Sequence, residues 1–189
     1  MARWQPHAPE RLLLAALELF EERGYENTTV VEITERAGLT KSTFFRHFPD
    51  KREVLFGGGT MTALLINGVD TAPADAGPLE AVANALDLIG RQAFTADRRE
   101  FSARRSAVIA ANPELREREA LKELGLIGSM TDALKRRGVP DLTARVAAEL
   151  GGLAWKIAYE RWKGATGQDD FSELARQALV QVQAASTMC

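Results

Sequence analysis

This chain repeatedly places Thr or Asp three residues ahead of Glu at the mouth of a stretch with helical spacing, as in Thr29-Val-Val-Glu32, Asp50-Lys-Arg-Glu53 and Asp170-Phe-Ser-Glu173. In such a box each side chain satisfies a backbone N–H that the first turn of a helix leaves open. Pro9, Thr40, Asn112-Pro113 and Asp141 mark further starts, and Gly24, Gly38 and Gly138 mark stops. No convincing alternation of apolar and polar residues competes with this punctuation, so the chain is expected to be all-α, with about nine helices. They are read at 9–23, 29–37, 41–47, from 50 onward, 79–95, 98–111, 113–138, 141–163 and 170–185. Residues 71–78, Thr-Ala-Pro-Ala-Asp-Ala-Gly-Pro, form a loop.

The 189 residues are 46% hydrophobic, enough for a core that needs neither a disulfide nor a metal to hold it. Cys189 is the one cysteine, which excludes cysteine zinc sites and suits a reducing compartment. The stretch Met1 to His7 has no apolar segment of the signal-peptide kind, and no run approaches the roughly 18 apolar residues of a membrane span. The expectation is a soluble, cytoplasmic protein.

The net charge is −2, but it is unevenly spread. Residues 36–52 hold Arg36, Lys41, Arg46, Lys51 and Arg52 against Asp50, while the helix before them carries Glu10, Glu18, Glu21 and Glu22. Segregated charge acts locally whatever its sum. In the first helix Leu13, Ala16, Leu17 and Phe20 make one stripe, and in the second Val30, Ile33 and Ala37 face inward. Thr40 caps a third helix over 41–47. Phe44 and Phe48, four apart, anchor it, and Lys41, Ser42, Phe45 and Arg46 are left on its outer face. Two short helices joined by a tight turn and braced by longer neighbours have helix-turn-helix organisation, with the second one free to enter a DNA major groove.

Farther along, Gly57-Gly58-Gly59 predicts a break or a soft spot in the helix that starts at Asp50. The helix over 141–163 is apolar around a wide arc. Ala147, Gly151, Ala154 and Ala158 form a small-residue stripe, and Val146, Leu150, Leu153 and Ile157 form a large one beside it. Leu174, Ala178 and Val182 give the last helix a matching face. Two such faces suit an intermolecular four-helix bundle, with Ala147, Gly151, Ala154, Ala158, Leu174, Ala178 and Val182 taken as its contact; the alternative is a buried helix in a monomer.

The segment LLLAALELFEERGYENTTVVEITERAGLTKSTFFRHFPDKREVL resembles the DNA-binding domain of TetR/AcrR-type transcriptional repressors along its whole length. Gly24-Tyr25, Thr28-Thr29-Val30, Ile33, Ala37-Gly38, Phe48-Pro49 and Lys51 carry the resemblance. It implies a DNA-binding head over residues 1–50 and an effector-binding and dimerisation domain over 51–189. Position by position it implies that Thr40 and Lys41 touch phosphates and groove edges, that Ser42, Thr43 and Arg46 face bases, that His47 and Lys51 meet the backbone, and that Thr29 aims a helix N-terminus at a phosphate. Phe45 stands where the family usually has Tyr, so a hydroxyl bond to phosphate is missing. Thr34 stands where it usually has alanine, and its hydroxyl is expected to bond back to a carbonyl.

The resemblance further implies a homodimer that binds double-stranded DNA at an inverted-repeat operator and is released by a small-molecule effector. Candidates for the effector pocket are Leu64, Leu88, Phe94, Phe101, Arg105, Ile109, Leu124, Ile127, Met130 and Trp155, whose composition favours a hydrophobic ligand. The cluster Arg98, Arg99, Arg104 and Arg105 is either a solvated face or a site for an acidic or CoA-linked ligand. Gly57–Gly59 is either a pliant point between pocket and head or a plain break. An enzyme is disfavoured: His7 and His47 lie in different contexts, no nucleophile has a base nearby, and there is no phosphate loop, metal-spaced cluster or cofactor motif. A helical small-molecule-binding protein without an operator remains the alternative.

Overall fold

The computed structural model describes residues 8–165 and 169–187; His7 and Cys189 lie outside them. Among the described residues there are nine α-helices and no strand: α1 (Ala8–Arg23), α2 (Val30–Ala37), α3 (Lys41–His47), α4 (Thr60–Asp70), α5 (Pro78–Ala93), α6 (Arg99–Ala111), α7 (Pro113–Arg136), α8 (Asp141–Gly164) and α9 (Phe171–Ser186). None of them is long and apolar enough to cross a membrane. One expected helix differs. The stretch after Asp50 is a 3₁₀ segment, Arg52–Gly59, and α4 starts only at Thr60. Gly57 (φ 67°) and Gly59 (φ 93°) adopt the left-handed backbone that ends a regular helix. The glycine run therefore breaks the helix.

The chain divides into two compact units, a head and a body. The head runs to Gly59 rather than to residue 50, and it takes in Arg104–Glu119, the end of α6 and the start of α7. Side chains explain the enlargement. Arg104 forks onto Glu21 at 2.6 and 2.9 Å. Arg118 reaches Glu53, which is 4% exposed, at 2.5 Å. Arg105 donates to the carbonyl of Leu55 at 2.6 Å and lies over the Phe56 ring. Glu53 thus belongs to Arg118. Asp50 accepts from the Glu53 N–H at 3.0 Å.

Within the head, α1 buries Leu12, Ala15, Ala16, Leu17, Leu19 and Phe20. The α2 box forms as the sequence predicts: Thr29 accepts from the Glu32 N–H at 3.3 Å, and Glu32 accepts from the Thr29 N–H at 2.8 Å. Gly38 (φ 62°) closes α2 with the left-handed turn that sets α3 at an angle to it. Buried Thr34 donates to the Val31 carbonyl at 2.8 Å, as expected of its hydroxyl.

The body core is built from small residues. A Cβ on Gly68 would lie 2.4 Å from Cα of Ala85, so α4 and α5 meet backbone to backbone. On α8, Ala144, Ala147, Ala148, Gly151, Ala154, Ala158 and Trp162 are buried, and on α9 Phe171, Ala175, Ala178, Leu179 and Val182 are buried. This corrects the expected contact face. Ala147, Gly151, Ala154, Ala158, Ala178 and Val182 pack inside one chain, and Leu174 packs partly buried against the same core. The reason is steric: a Cβ on Gly151 would sit 2.6 Å from Cγ1 of Val82, so the small stripe is what lets α5 approach α8. Of the large stripe, Val146 and Leu153 are 49% exposed each while Leu150 and Ile157 are half-buried, and Leu142 (74% exposed) and Val180 (57%) join the outward face.

Candidate nucleic-acid interface

Helix α3 has only seven residues, too few to stand alone. Phe44 is fully buried and Phe48 3% exposed, with ring centroids 5.6 Å apart. The Thr40 hydroxyl accepts from the Thr43 N–H at 3.2 Å and lies 3.0 Å from the Thr43 hydroxyl. Anchored and capped in this way, the helix turns Lys41, Ser42, Phe45 and Arg46 to solvent, with Thr43 and His47 half-buried at the edges. Phe45 is 48% exposed and leans edge-on against Phe44 at 5.4 Å.

The five clustered cations separate sharply. Arg36 is held by Glu22 at 2.8 Å and Glu18 at 3.3 Å. Arg52 is held by Asp50 at 2.9 Å and Glu114 at 3.5 Å. Lys51 turns inward: its ammonium donates to the carbonyls of Tyr25 at 2.8 Å and Thr28 at 3.0 Å and lies 4.0 Å from the Tyr25 ring centre. It ties the loop between α1 and α2, a different task from the phosphate contact expected of it. Among the described residues no hydrogen bond or ion pair holds the Lys41 or Arg46 head group; Lys41 only leans toward the Phe45 ring, 6.0 Å from its centre.

Thr29 is also more committed than expected. Its hydroxyl lies 2.8 Å from Glu32, whose carboxylate already covers the N-terminus of α2. Bonds from the Thr29 backbone and hydroxyl hold the Glu32 carboxyl below the usual glutamate range. A phosphate reaching that helix end must displace a carboxylate. Burial, with Glu114 beside it, pushes the Tyr25 phenol well above its usual range, so it stays protonated beneath the loop.

The body holds a small cavity of ≈ 30 Å³. Of the ten candidate pocket residues, Ile127, Met130 and Trp155 line it. Phe94 sits instead in a cluster of rings with Trp155, Tyr159, Trp162 and Phe171, at 4.4 to 5.4 Å from each. Leu124 is 64% exposed. Arg105 and Ile109 belong to the head. Leu64, Leu88 and Phe101 are half-buried and outside the lining. The lining residues that sequence reasoning missed include Leu65, Leu86, Glu123, Leu126 and Lys156. Of the arginine cluster, Arg104 and Arg105 bind the head, and Arg99 donates to the Asp169 carbonyl at 2.6 Å, so these three are structural clamps.

Residues 12–56 match the family described as bacterial regulatory proteins, tetR family. The head is thus similar to tetR-family regulatory proteins. The transcriptional regulator TcmR of Streptomyces glaucescens is 39% identical over 78 residues, 41% of this chain and 34% of TcmR. The transcriptional activator FasR of Mycolicibacterium smegmatis is 43% identical over 44 residues, 23% of this chain and 20% of FasR. The chain thus aligns with about a third or less of these curated relatives. Solved structures match nearly end to end. A SmeT–triclosan complex superposes with a TM-score of 0.59 at 20% identity, covering 94% of this chain and 90% of SmeT. FadR of Thermus thermophilus, a TetR-family repressor in complex with lauroyl-CoA, gives 0.52 at 24%, covering 93% of each chain. At these identities the structures share the fold, and the sequence kinship to TetR-family proteins rests in the head.

Proposed function

We propose that this protein is a sequence-specific, duplex-DNA-binding transcriptional regulator of the repressor type, working as a homodimer on an inverted-repeat operator and answering to a small apolar effector. One observation carries the reading. Three of five clustered cations are spent inside the head, and the two that are left, Lys41 and Arg46, stand on the open face of a rigidly anchored α3. Arg46 can pair with a guanine edge through two bonds, while Lys41 and the cap at Thr40 suit the phosphate backbone. Ser42, Thr43 and His47 flank them, and Phe45 offers an apolar edge suited to a thymine methyl.

Two copies are needed to read both halves of an inverted repeat. The outward stripe of Leu142, Val146 and Leu153 on α8, with Val180 on α9, supplies a self-complementary apolar face for that pairing. The effector site lies in the body, at the cavity that Trp155 and Met130 help to enclose.

The test is duplex binding against salt. A regulator of this kind loses affinity steeply as salt rises, because each neutralised phosphate releases counterions. Lys41→Ala should lower the log–log slope by about one, Arg46→Ala should cost about 1–3 kcal/mol of operator binding, and each should leave folding stability within about 0.5 kcal/mol of wild type. A flat salt dependence, or an Arg46→Ala variant that binds like wild type, would favour a ligand-binding protein without an operator.

A further inference from the structure

Two glycines sit in the middle of α7 with no steric reason to be there. A Cβ on Gly125 or Gly128 would meet nothing within 4 Å, and both positions are exposed. Glycine weakens a helix interior relative to alanine, so this pair softens α7 without serving any close approach. The opposite side of the same two turns is a wall of the cavity: Glu123, Leu126, Ile127 and Met130 line it. Behind α7 there is solvent, since Leu121 is 53% and Leu124 64% exposed. An outward swing of this segment gives up no packing on its far side.

Such a swing is required before anything enters. The cavity of ≈ 30 Å³ has room for about two waters, an order of magnitude below the roughly 300 Å³ at which ligand sites begin. The opening would be adjustable where side chains are pliable. Ile127 rests on the bare backbone of Gly152, where a Cβ would come within 3.0 Å of it, and Met130 is an unbranched, readily repacked side chain.

The chemistry of the occupant follows from the rim. The lining is apolar apart from Glu123 and Lys156, which neutralise one another at 2.7 Å. A carboxylate ligand would take Lys156 and strand Glu123, and an ammonium ligand would do the reverse. A hydroxyl can donate to Glu123 and accept from Lys156 without unbalancing the pair. Resting on the effector reading above, we propose that the α7 segment around Gly125 and Gly128 is a hinged door, and that it admits an uncharged, largely apolar molecule carrying a single hydroxyl. Earlier in its course α7 carries Arg118, the partner of Glu53 in the head, so the door and that clamp lie on one helix.

The experiment measures binding of para-tert-octylphenol, laurate and dodecyltrimethylammonium to the intact protein by calorimetry, in the wild type and in two variants. The phenol should bind, with both charged amphiphiles weaker by about tenfold or more. Gly125→Ala with Gly128→Ala should raise the melting temperature yet weaken phenol binding by about tenfold, although both alanines face away from the cavity. Gly152→Leu should abolish binding by filling the space beside Ile127. Tightest binding by laurate or the ammonium overturns the ligand class, and failure of all three probes overturns the proposal. A double-alanine variant that binds phenol as wild type does, or that melts lower, overturns the door. None of these outcomes touches the salt dependence of duplex binding, so the door can fail while the regulator stands, and the reverse.

Discussion

In the head Arg104 reaches back 83 positions to Glu21, and Arg118 reaches 65 positions to Glu53. In the body charged side chains also reach far, as where Arg99 donates to the Asp169 carbonyl and Lys156 meets Glu123, but there bare backbone meets distant partners as well, as where Gly68 lies against Ala85. The head is laced by long charged side chains around a core of leucine, isoleucine and phenylalanine. The body is closed by alanine and glycine, which let helix axes approach. A short helix such as α3 presents a polar face reliably because caps, rings and ion pairs hold it from several directions. A long helix such as α8 has two apolar faces, and only packing decides which of them goes inward.

The sharpest way to break that comparison is to enlarge one inward alanine. Ala154 is fully buried, so Ala154→Leu should cost roughly 3 kcal/mol or more in chemical denaturation, because the added atoms have no void to enter. Its neighbour Leu153 is half exposed, and Leu153→Ala should change the stability of the single chain by less than about 0.5 kcal/mol while weakening self-association in sedimentation experiments. If Ala154→Leu instead dissociated a dimer and left the fold intact, the small stripe would face the partner after all.

That reversal also marks how far the sequence could be read. The caps at Thr29 and Thr40, the stop at Gly38, and the anchoring of Phe44 and Phe48 follow local rules, since each residue acts within one turn of its own position. Eight of the nine helices among the described residues were legible for the same reason; the start of α4 at Thr60 was not, because the expected helix after Asp50 is a 3₁₀ segment that ends in the glycine run. The outer face of α3 was legible because burying two phenylalanines four apart fixes the opposite side. What stayed hidden depends on distant partners. Nothing near Lys51 announces that its ammonium closes the loop at Tyr25 and Thr28, and nothing near Arg104 or Arg118 announces Glu21 or Glu53. The orientation of α8 was hidden by its own composition: small and large stripes lie side by side, and hydrophobicity favours burying the large one. The deciding fact is the close approach of Val82, on another helix, at Gly151.

A medium effect tests the lacing itself. Arg118→Ala removes a cation from a Glu53 carboxylate that is 4% exposed. Breaking a buried pair on one side costs several kcal/mol, and because Arg118 is itself 32% exposed the expected loss is nearer to about 2 kcal/mol. Glu53→Gln in the same chain should recover part of it, since a neutral amide tolerates burial without a cation. Two-step denaturation curves read by hydrogen exchange should place the loss in residues up to Gly59 and in Arg104–Glu119. A uniform loss across the body would mean that the clamp at Glu53 is not confined to the head.

The smallest effect is a pH dependence, and its sign is fixed. The Arg104 fork holds the Glu21 carboxyl below the usual glutamate range, Arg36 does the same for Glu22, and Arg52 lowers Asp50. A carboxyl whose folded pKa lies below its unfolded one contributes stability that is fully present above the unfolded value and is lost as pH falls through the folded value. In the head Glu21 and Glu22 grip Arg104 and Arg36, 83 and 14 positions away, so protonating them loosens tertiary structure. In the body Glu173 and Asp141 are also lowered, but by Arg176 and Lys135 only a few positions away, where protonation frays a helix end. These pairs are largely exposed, so the loss per pair is small and shrinks further with salt. Between neutral pH and the acid side of the carboxylate range, amide exchange should therefore accelerate first in α1, before the Ala-packed stretch of α8. Exchange that quickens first in α8 would show that the ion pairs of the head are ornaments on a fold held by something else.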